Sequence, residues 1–235
     1  MFRLSRKGER IREMFSSIAS RYDLLNGLLS FGIATRWRRY AVRLISSSED
    51  GRILDIATGT GDMSFEIAAT TPPTVTVVGM DFCEEMIELA AAKLGKSIYR
   101  ERITYVIAPC EAIPFPEGSF DSVTIAFGIR NLDDRDQGLQ EIYRILKSGG
   151  RIIILEFSTP DSKFIRTIYH WYFCRLLPVI GGLISRSDAY KYLPESVLEF
   201  PTQKKFKEIM ARAGFDNIVH YTRTFGIVTI YVGVK

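Results

Sequence analysis

The chain has few of the residues that build metal centres. Its 235 residues include 3 cysteines and 2 histidines, and Cys83, Cys110 and Cys174 are far apart with no Cys-x-x-Cys spacing. This scarcity disfavours a structural zinc site and favours a reducing compartment. We therefore predict no metal ligands, and we expect a cytoplasmic protein.

The chain also lacks sequence signals for export, for crossing a membrane and for binding nucleic acid. Residues 1–7 contain no apolar signal-peptide region, and no run of about 20 uncharged apolar residues occurs anywhere. The 31 basic and 27 acidic residues give a net charge of only +4. Basic residues are dispersed, apart from short clusters at 36–39 and 204–205, so we predict no nucleic-acid partner.

The pattern of apolar residues predicts an α/β fold. With 46% hydrophobic and 25% charged residues the chain has an ordinary globular composition and enough length for a full core. Apolar runs typical of buried parallel strands alternate with segments of helical periodicity. We predict strands at 52–56, 75–80, 103–107, 120–126, 150–156, 216–222 and 227–234, and helices at 62–69, 84–94, 135–147 and 203–213. The helix at 135–147 is expected to stop at Gly149 and Gly150, where a left-handed cap costs little.

The most informative segment is a glycine-rich turn between the first predicted strand and the helix after it. It has the form Asp55-x-Ala57-x-Gly59-x-Gly61, and Asp81 ends the next strand. Glycine allows backbone N–H groups to approach a ligand, and an aspartate at the tip of the next strand can accept hydrogen bonds from both ribose hydroxyls. The segment therefore predicts a ligand that contains adenosine.

Two details of this turn disfavour a dinucleotide. Ser64 stands where a Gly-x-Gly-x-x-Gly motif has its third glycine, and Asp62 stands where a pyrophosphate would lie and would repel it. An NAD-dependent oxidoreductase is therefore the least favoured interpretation. The pattern resembles motif I of class I S-adenosylmethionine (SAM) methyltransferases, whose ligand carries no phosphate.

Two segments lie outside the predicted sheet. Within 9–40, helical spacing puts Ile11, Met14, Phe15, Ile18, Ala19 and Tyr22 on one face. The second segment, 164–184, is apolar and aromatic with interspersed Arg166, His170 and Arg175. It suits an element that lies on a membrane surface or covers a lipid, and the alternative is a buried helix pair above the active site. An exposed apolar patch would serve a homodimer equally well.

Several separate blocks of sequence, in order along nearly the whole chain, resemble the menaquinone/ubiquinone C-methyltransferase family. The blocks are 15–26 (FSSIASRYDLLN), 29–33 with Trp37, 126–132 (AFGIRNL), 143–150 (YRILKSGG), 155–158 (LEFS) and 192–197 (YLPESV). The chain departs from the family at Leu25 and Ala34, where the family usually has Met and His.

The resemblance implies a single SAM-dependent methyltransferase domain, 1–235, with a Rossmann-like class I fold. Its sheet would have seven mostly parallel strands, the last of them antiparallel. A helical cover, 1–45, would precede the sheet, and an insert at 160–200, helical near 162–200, would lie over the substrate site.

The implied reaction moves a methyl group from SAM to a ring carbon of a demethylated polyprenyl quinol, either demethylmenaquinol or the benzoquinol precursor of ubiquinone. The polyprenyl tail gives 164–184 a purpose, because this segment could cover the tail or contact the membrane surface peripherally.

The resemblance also assigns cofactor-binding residues: Asp55, Thr58, Gly59, Thr60, Gly61, Asp81, Pro109, Cys110 and Ala126. Pro109 stands where related enzymes carry Asp or Asn, and Ala126 where they carry Ser. Pro109 has neither a polar side chain nor an N–H group, so adenine recognition must depend on the Cys110 backbone N–H and apolar contact. We expect weaker SAM binding as a result.

Three residues are candidates for the chemistry. A ring carbon becomes nucleophilic when the adjacent hydroxyl gives up its proton, so a base or a stabilising cation is needed near the ring. We predict that Arg130 stabilises the phenolate, that Asn131 orients it and that Tyr22 contributes from the cover. The alternatives are a surface salt bridge from Arg130 to Asp133 or Asp134, and a core-packing role for Tyr22.

Three other functions stay open. A methyltransferase for a different small molecule would keep every SAM feature and differ only in 9–40 and 164–200. An RNA methyltransferase would need a basic face lined with aromatic residues. A module without enzymatic activity is credible if Pro109 and Ala126 together abolish cofactor binding.

Overall fold

The computed structural model describes residues 5–19, 22–23, 27, 32–160, 162–171 and 189–235, and a seven-stranded sheet forms its centre. The strand order is β3-β2-β1-β4-β5-β7-β6. Strands β1 to β5 are parallel, and β7 is antiparallel to both β5 and β6. The predicted α/β class and the reversed last strand are therefore confirmed. The strands are β1 (Arg52–Ile56), β2 (Thr76–Asp81), β3 (Ile103–Ile107), β4 (Phe120–Ala126), β5 (Leu146–Phe157), β6 (Asp216–Arg223) and β7 (Val228–Val234).

The described residues contain eight helices. Two precede the sheet, two belong to the predicted insert and four connect or flank the strands. They are α1 (Arg6–Ile18), α2 (Ile33–Val42), α3 (Asp62–Thr70), α4 (Glu84–Leu94), α5 (Arg135–Ile145), α6 (Lys163–Trp171), α7 (Ala189–Leu198) and α8 (Gln203–Arg212). Short 3-10 turns occupy Cys110–Ala112, Ile129–Asn131 and Thr224–Gly226.

Helices cover both faces of the sheet, so the central strands are buried on both sides. Ile53 of β1 packs in the same cluster as Trp37 of α2 and Ile67 of α3. Leu54, the next residue, points to the other face and packs in a cluster with residues of α5 and α8. This alternation explains why the strands are almost continuously apolar in sequence.

The sheet brings the predicted ligand-binding residues to one edge. The chain winds outward from β1 through β2 to β3, and then crosses back to β4 on the other side of β1. Ligands of open α/β sheets bind where the strand order reverses, beyond the carboxyl ends of the strands. Asp81 is the last residue of β2 and Ala126 the last of β4, so both lie at this edge.

The predicted junction between the helix at 135–147 and the fifth strand is wrong. The helix predicted at 135–147 ends at Ile145, and β5 begins at Leu146, four residues earlier than expected. Leu146 pairs with Phe120, after which the register shifts. Gly149 has φ +76° and donates its N–H to the Lys235 carbonyl at 2.8 Å. Residues 149–150 therefore form an irregularity within the strand rather than a helix cap.

The predicted insert contributes α6 and α7. The part of 164–184 after Trp171 lies outside the described residues, and so do Cys174 and Arg175. No helix in the described part of the chain combines the length and apolarity that a bilayer crossing requires.

Candidate functional site

A cavity opens at the carboxyl edge of the sheet, beside the ends of β1 and β4. Its empty volume is about 720 Å³, part of it open to solvent. The loops after β1 to β4 form most of its wall, and α1 with Tyr22 closes one side. The lining residues are Gly8, Phe15, Tyr22, Ile56, Ala57, Gly59, Asp81, Phe82, Met86, Ala108, Pro109, Cys110, Glu111, Ala126, Phe127, Gly128, Asn131, Leu132 and Asp133.

The cavity wall is acidic. Asp81, Glu111 and Asp133 line it, and the described lining residues include neither lysine nor arginine. Such a wall suits a ligand that carries positive charge and disfavours a phosphate, which needs N–H donors or cations. The charge of the cavity therefore gives an independent reason to exclude a dinucleotide.

The glycine turn adopts the backbone conformation that the sequence predicts. Gly59 has φ +55° and Gly61 has φ +89°, both in the region that favours glycine. The N–H of Thr58 donates to the Met80 carbonyl at 3.1 Å and ties the turn to the end of β2. Tyr22 covers the turn closely, since a Cβ on Gly59 would lie 3.7 Å from its ring.

The Asp55 carboxylate lies beneath the turn and is fully buried. It accepts hydrogen bonds from Thr58 Oγ1 at 2.6 Å, from Ser64 Oγ at 2.8 Å and from Thr124 Oγ1 at 2.9 Å. Burial raises the pKa of Asp55 to about 6, and the three hydroxyl donors oppose that rise. Asp55 and Thr58 thus hold the turn in shape from below, and neither is among the described residues that line the cavity.

Asp81 is the acidic residue that faces the cavity beside the turn. Its Oδ2 accepts from the Gly59 N–H at 2.9 Å, and its Oδ1 accepts from the Cys83 N–H at 3.0 Å. Burial raises the pKa of Asp81, and the backbone donors oppose the rise. Each carboxylate oxygen has a further lone pair, so two hydroxyls of a ligand can be bound at once.

Asp62 does not present a free negative charge to the turn. Arg38 Nη2 lies 3.0 Å from its Oδ2, and Lys93 Nζ lies 3.3 Å from its Oδ1. The repulsion predicted for Asp62 is therefore largely balanced, and the acidic cavity wall replaces it as the electrostatic argument. Lys93 also pairs with Asp23 at 2.5 Å, and Asp23 accepts from the Thr60 hydroxyl.

Pro109 and Cys110 line the far wall after β3, together with Ala126 at the end of β4. The Cys110 thiol is buried and lies 3.8 Å from the Gly138 carbonyl oxygen. Burial raises the pKa of Cys110 well above its ordinary value. The neighbouring Glu111 carboxylate accepts from the Asp133 N–H at 2.7 Å and the Asp134 N–H at 3.1 Å, which joins this wall to the start of α5.

Arg130 forms a buried ion pair, but with a partner that the sequence did not suggest. Its Nη1 lies 2.6 Å from Glu156 Oε1, and the Glu156 side chain is completely buried. Nη1 also donates to the Phe127 carbonyl at 2.7 Å, and Nε donates to Ser196 Oγ at 3.3 Å. Arg130 therefore joins β5 and α7 to the loop after β4, in place of a surface salt bridge to Asp133 or Asp134.

Asn131 and Tyr22 do line the cavity. Asn131 Oδ1 accepts a hydrogen bond of 3.0 Å from the Tyr192 hydroxyl. The Tyr22 ring makes an edge contact with Phe15, with 6.1 Å between centroids, and packs against the cluster of Ala19, Cys83 and Met86. Tyr22 thus combines the packing role with a position on the cavity wall.

The structure divides the predicted site residues into two groups. Seven of them line the cavity: Tyr22, Gly59, Asp81, Pro109, Cys110, Ala126 and Asn131. Five are not among the described lining residues and support the wall from behind: Asp55, Thr58, Thr60, Gly61 and Arg130.

Sequence reasoning missed the partners of Arg130 and Asn131. Glu156, Tyr192 and Ser196 all fall within blocks that carry the family resemblance, which was the one available signal. No role was assigned to them because they lie 26, 61 and 66 positions from their partners. Such distant pairings cannot be inferred from local spacing.

Comparison with known proteins agrees with this geometry. Residues 3–235 match the model of the ubiE/COQ5 methyltransferase family. The chain belongs to the ubiE/COQ5 methyltransferase family.

Full-length relatives within the family carry specific names. The chain is 63% identical to a ubiquinone/menaquinone biosynthesis C-methyltransferase UbiE of Geobacter sulfurreducens, over 100% of this chain and 92% of the relative. It is 48% identical to a demethylmenaquinone methyltransferase of Thermus thermophilus, over 94% of this chain and 99% of the relative.

A solved structure supports the fold of this family member. A SAM-dependent methyltransferase from Aquifex aeolicus superimposes with a TM-score of 0.62 at 16% identity, covering 83% of this chain and 88% of that one. At this identity the likeness concerns the fold alone, and it agrees with a class I methyltransferase architecture.

Proposed function

We propose that this methyltransferase transfers a methyl group from SAM to a ring carbon of a demethylated polyprenyl quinol. The observation that carries the proposal is the acidic cavity, without lysine or arginine among its described lining residues, beside a glycine turn and the Asp81 carboxylate. SAM carries a positive sulfonium group and no phosphate, so these residues fit it. Relatives named for menaquinone and ubiquinone biosynthesis support the choice of quinol.

Binding of the cofactor is expected to depend on a small number of protein groups. When bound, SAM supplies an electrophilic methyl group. Asp81 would accept hydrogen bonds from both ribose hydroxyls, and Gly59 allows close approach of the backbone. The adenine would lie against Pro109 and Cys110. Because Pro109 offers no donor, this contact depends on the Cys110 N–H and on apolar packing, which predicts modest affinity.

The remaining cavity residues are expected to bind the acceptor ring. The ring carbon is nucleophilic once the adjacent hydroxyl is ionised, so a donor near that oxygen favours the reactive form. Asn131 lines the cavity and carries such a donor, and Tyr22 offers a ring face and a hydroxyl. Phenolate stabilisation by Arg130 remains a prediction. Its contacts with Glu156 and Phe127 also support a role in holding the loop that carries Asn131.

We further propose that the cover and the insert act with the sheet as one domain. Ser5 at the start of α1 donates to the Asp133 carboxylate, and its backbone N–H does so at 2.8 Å. The Trp37 indole of α2 donates to Thr224 Oγ1 at 2.8 Å. From the insert, Tyr192 bonds Asn131. The contacts of Ser5 and Tyr192 reach Asp133 and Asn131, which line the cavity, so the cover and the insert can each affect substrate access.

Helix α6 supports a proposal for the polyprenyl tail. Phe164 and Trp171 are seven residues apart, hence on the same side of the helix, and are 72% and 60% exposed. Lys163 and Arg166 are exposed nearby. Exposed aromatics flanked by cations suit insertion at the surface of an anionic membrane, where the tail of the substrate resides. We therefore propose peripheral membrane contact through α6.

The reaction is tested by transfer of labelled methyl from SAM to demethylmenaquinol, and separately to a polyprenyl benzoquinol lacking its ring methyl group. Each is presented in detergent under strong reductant. The expected result is methylation of the reduced ring, with little product from the oxidised quinone. An Asp81→Ala variant should lose SAM binding in calorimetry, whereas a control, Glu101→Ala at an exposed site, should bind normally. SAM binding without transfer to either quinol would favour a different small-molecule acceptor.

The membrane contact is tested by flotation with vesicles that contain anionic lipid. The double variant Phe164→Ser/Trp171→Ser should float less than the wild type. Ile98→Ser is the control, because Ile98 is 87% exposed and lies in the loop between α4 and β3. Equal flotation of all three proteins would reject the contact. Light scattering on the same samples distinguishes a homodimer that uses Phe164 and Trp171.

A further inference from the structure

Helix α7 of the insert contacts the turn that carries Asn131 at two points. The Tyr192 hydroxyl donates to Asn131 Oδ1 at 3.0 Å, and Ser196 Oγ accepts from Arg130 Nε at 3.3 Å. Tyr192 and Ser196 are four residues apart and therefore lie on one side of the helix. Two adjacent residues of the turn are thus each held by the same helix face.

In the structure, the hydroxyl of Tyr192 donates to the oxygen end of the Asn131 amide. An asparagine amide has one end that accepts hydrogen bonds and one end that donates them. Because the oxygen accepts from Tyr192, the two N–H donors of Nδ2 belong to the other end of the amide. Asn131 lines the cavity, so this end is suited to meet an oxygen atom of a bound ligand.

The charges around the cavity make the Asn131 N–H donors important for binding a negatively charged oxygen. No lysine or arginine occurs among the described residues that line the cavity, and the nearby Arg130 is paired with the buried Glu156. A substrate oxygen that becomes negative would therefore depend on neutral donors, of which the Asn131 amide is one. A reversed amide would present its oxygen instead and would repel a phenolate.

We propose that Tyr192 is a positioning residue that holds the Asn131 amide with its N–H donors directed to the ionising hydroxyl of the substrate. This inference rests on the proposed quinol methylation and adds to it a residue of the insert. Tyr192 acts through Asn131 and does not itself need to touch the substrate. The insert would then contribute to the chemistry as well as covering the site.

The Tyr192 hydroxyl has the properties that this role requires. Burial raises its pKa above the ordinary tyrosine value, so the group keeps its proton at neutral pH and remains a donor. If Tyr192 lost its proton, it would accept from the amide and the amide would reverse. The residue also lies in a helix of ten residues, which fixes its backbone conformation.

The first test measures methyl transfer and ligand binding in Tyr192→Phe, Asn131→Ala and the double variant. Tyr143→Phe is the control, because Tyr143 packs against Phe215 and is not among the described residues that line the cavity. In Tyr192→Phe we expect kcat to fall about tenfold while SAM affinity in calorimetry stays unchanged. In the Asn131→Ala background the same change should have no further effect, because the amide is gone.

A binding measurement separates this inference from the proposed reaction. The probe is 2-hydroxy-1,4-naphthoquinone, a ring oxyanion at neutral pH, titrated in the presence of S-adenosylhomocysteine. We expect Tyr192→Phe and Asn131→Ala each to weaken binding severalfold, without additivity, and Tyr143→Phe to leave it unchanged. Wild-type affinity in Tyr192→Phe, or fully additive losses, would overturn the positioning role. Absence of methyl transfer by the wild type would instead overturn the proposed reaction.

Discussion

The two sides of the cavity each contain a buried carboxylate, but they stabilise it in different ways. On the glycine-turn side, Asp55 is held by three neutral hydroxyls, and two of these come from residues within nine positions of it. On the insert side, Glu156 is held by the Arg130 guanidinium, 26 positions away. The first arrangement is local and uncharged, whereas the second is an ion pair that joins distant parts of the chain.

This difference has consequences for the pKa of Asp55 and for the elements that must come together on each side. Hydroxyl donors only partly offset the burial of Asp55, so its pKa rises to about 6. A guanidinium at 2.6 Å supplies a full opposite charge to the Glu156 carboxylate. On the glycine-turn side, the turn and α3 supply two of the three donors to Asp55, and β4 supplies the third. The insert side requires β4, β5 and α7 to be assembled together.

The largest expected effect comes from breaking the buried ion pair. Glu156→Gln leaves the buried Arg130 charge without a counter-charge, so we expect the free energy of unfolding to fall by about 3–5 kcal/mol. Urea denaturation followed by circular dichroism measures the change. Glu101→Gln is the control, because Glu101 pairs with Arg100 at the exposed surface and should show no measurable change. Equal stability of both variants would contradict the larger contribution expected of the buried ion pair.

The second prediction concerns pH and the glycine-turn side. The folded-state pKa of Asp55 lies at about 6, above its ordinary value of 3.8, so the folded protein retains a proton that the unfolded chain has released. The Asp55 contribution therefore lowers the free energy of unfolding as pH rises from about 4 to about 6, by about 3 kcal/mol. Asp55→Asn should remove this dependence.

The pH prediction is checked by urea denaturation of both proteins between pH 4 and pH 7. Asp81 also has a raised pKa but is present in both, so the difference between the two curves isolates Asp55. Parallel curves for wild type and Asp55→Asn would show that Asp55 titrates alike in the folded and unfolded states.

A smaller effect is expected from closing the space above the glycine turn. Gly61→Ala would force a side chain into a positive-φ conformation and would bring its Cβ into overlap with Tyr105 Oη. Gly118→Ala is a matched control, because Gly118 has φ +65° and open space around it. We expect about 1 kcal/mol of destabilisation for Gly118→Ala and about 1–3 kcal/mol more for Gly61→Ala, measured by urea denaturation. Equal losses would mean that Tyr105 moves aside freely.

The smallest effect should come from the half-exposed ion pairs beside the turn. Lys93 joins Asp23 of the cover to Asp62 at the start of α3. Lys93→Met should weaken SAM binding by no more than about fivefold at low salt, because such pairs contribute less than about 1 kcal/mol. The difference should vanish in concentrated salt. Lys96→Met, an exposed lysine three residues further on, serves as the control in the same calorimetric titration.

Most of the fold follows from patterns that the sequence displays locally. Apolar runs separated by helical periodicity identify all seven strands, because parallel strands buried on both faces leave a strong signal. The start of β5 was misplaced because its first residues pair with Phe120 through an irregular register, and the glycines at 149–150 suggested a helix end. A register irregularity depends on the partner strand, which local spacing does not reveal.

The site was predictable in part: the residues of the glycine turn were, and the distant partners of the site residues were not. Asp81 and Gly59 line the cavity as expected, because the strand-turn-helix unit determines their position. The surroundings of Arg130 were not predictable, since Glu156 and Ser196 approach it only after the sheet and the insert have folded together. The charge of Asp62 was overestimated for the same reason, because Arg38 comes from a helix that precedes the sheet.

The cysteines next to the cavity have a consequence for the safety of the chemistry. A bound sulfonium is an alkylating agent, and a thiolate would compete with the ring carbon for its methyl group. Burial raises the pKa of Cys110 well above its ordinary value and that of Cys83 to about 12, so both remain thiols at neutral pH. We therefore expect these two thiols to be poor methyl acceptors compared with an ionised ring.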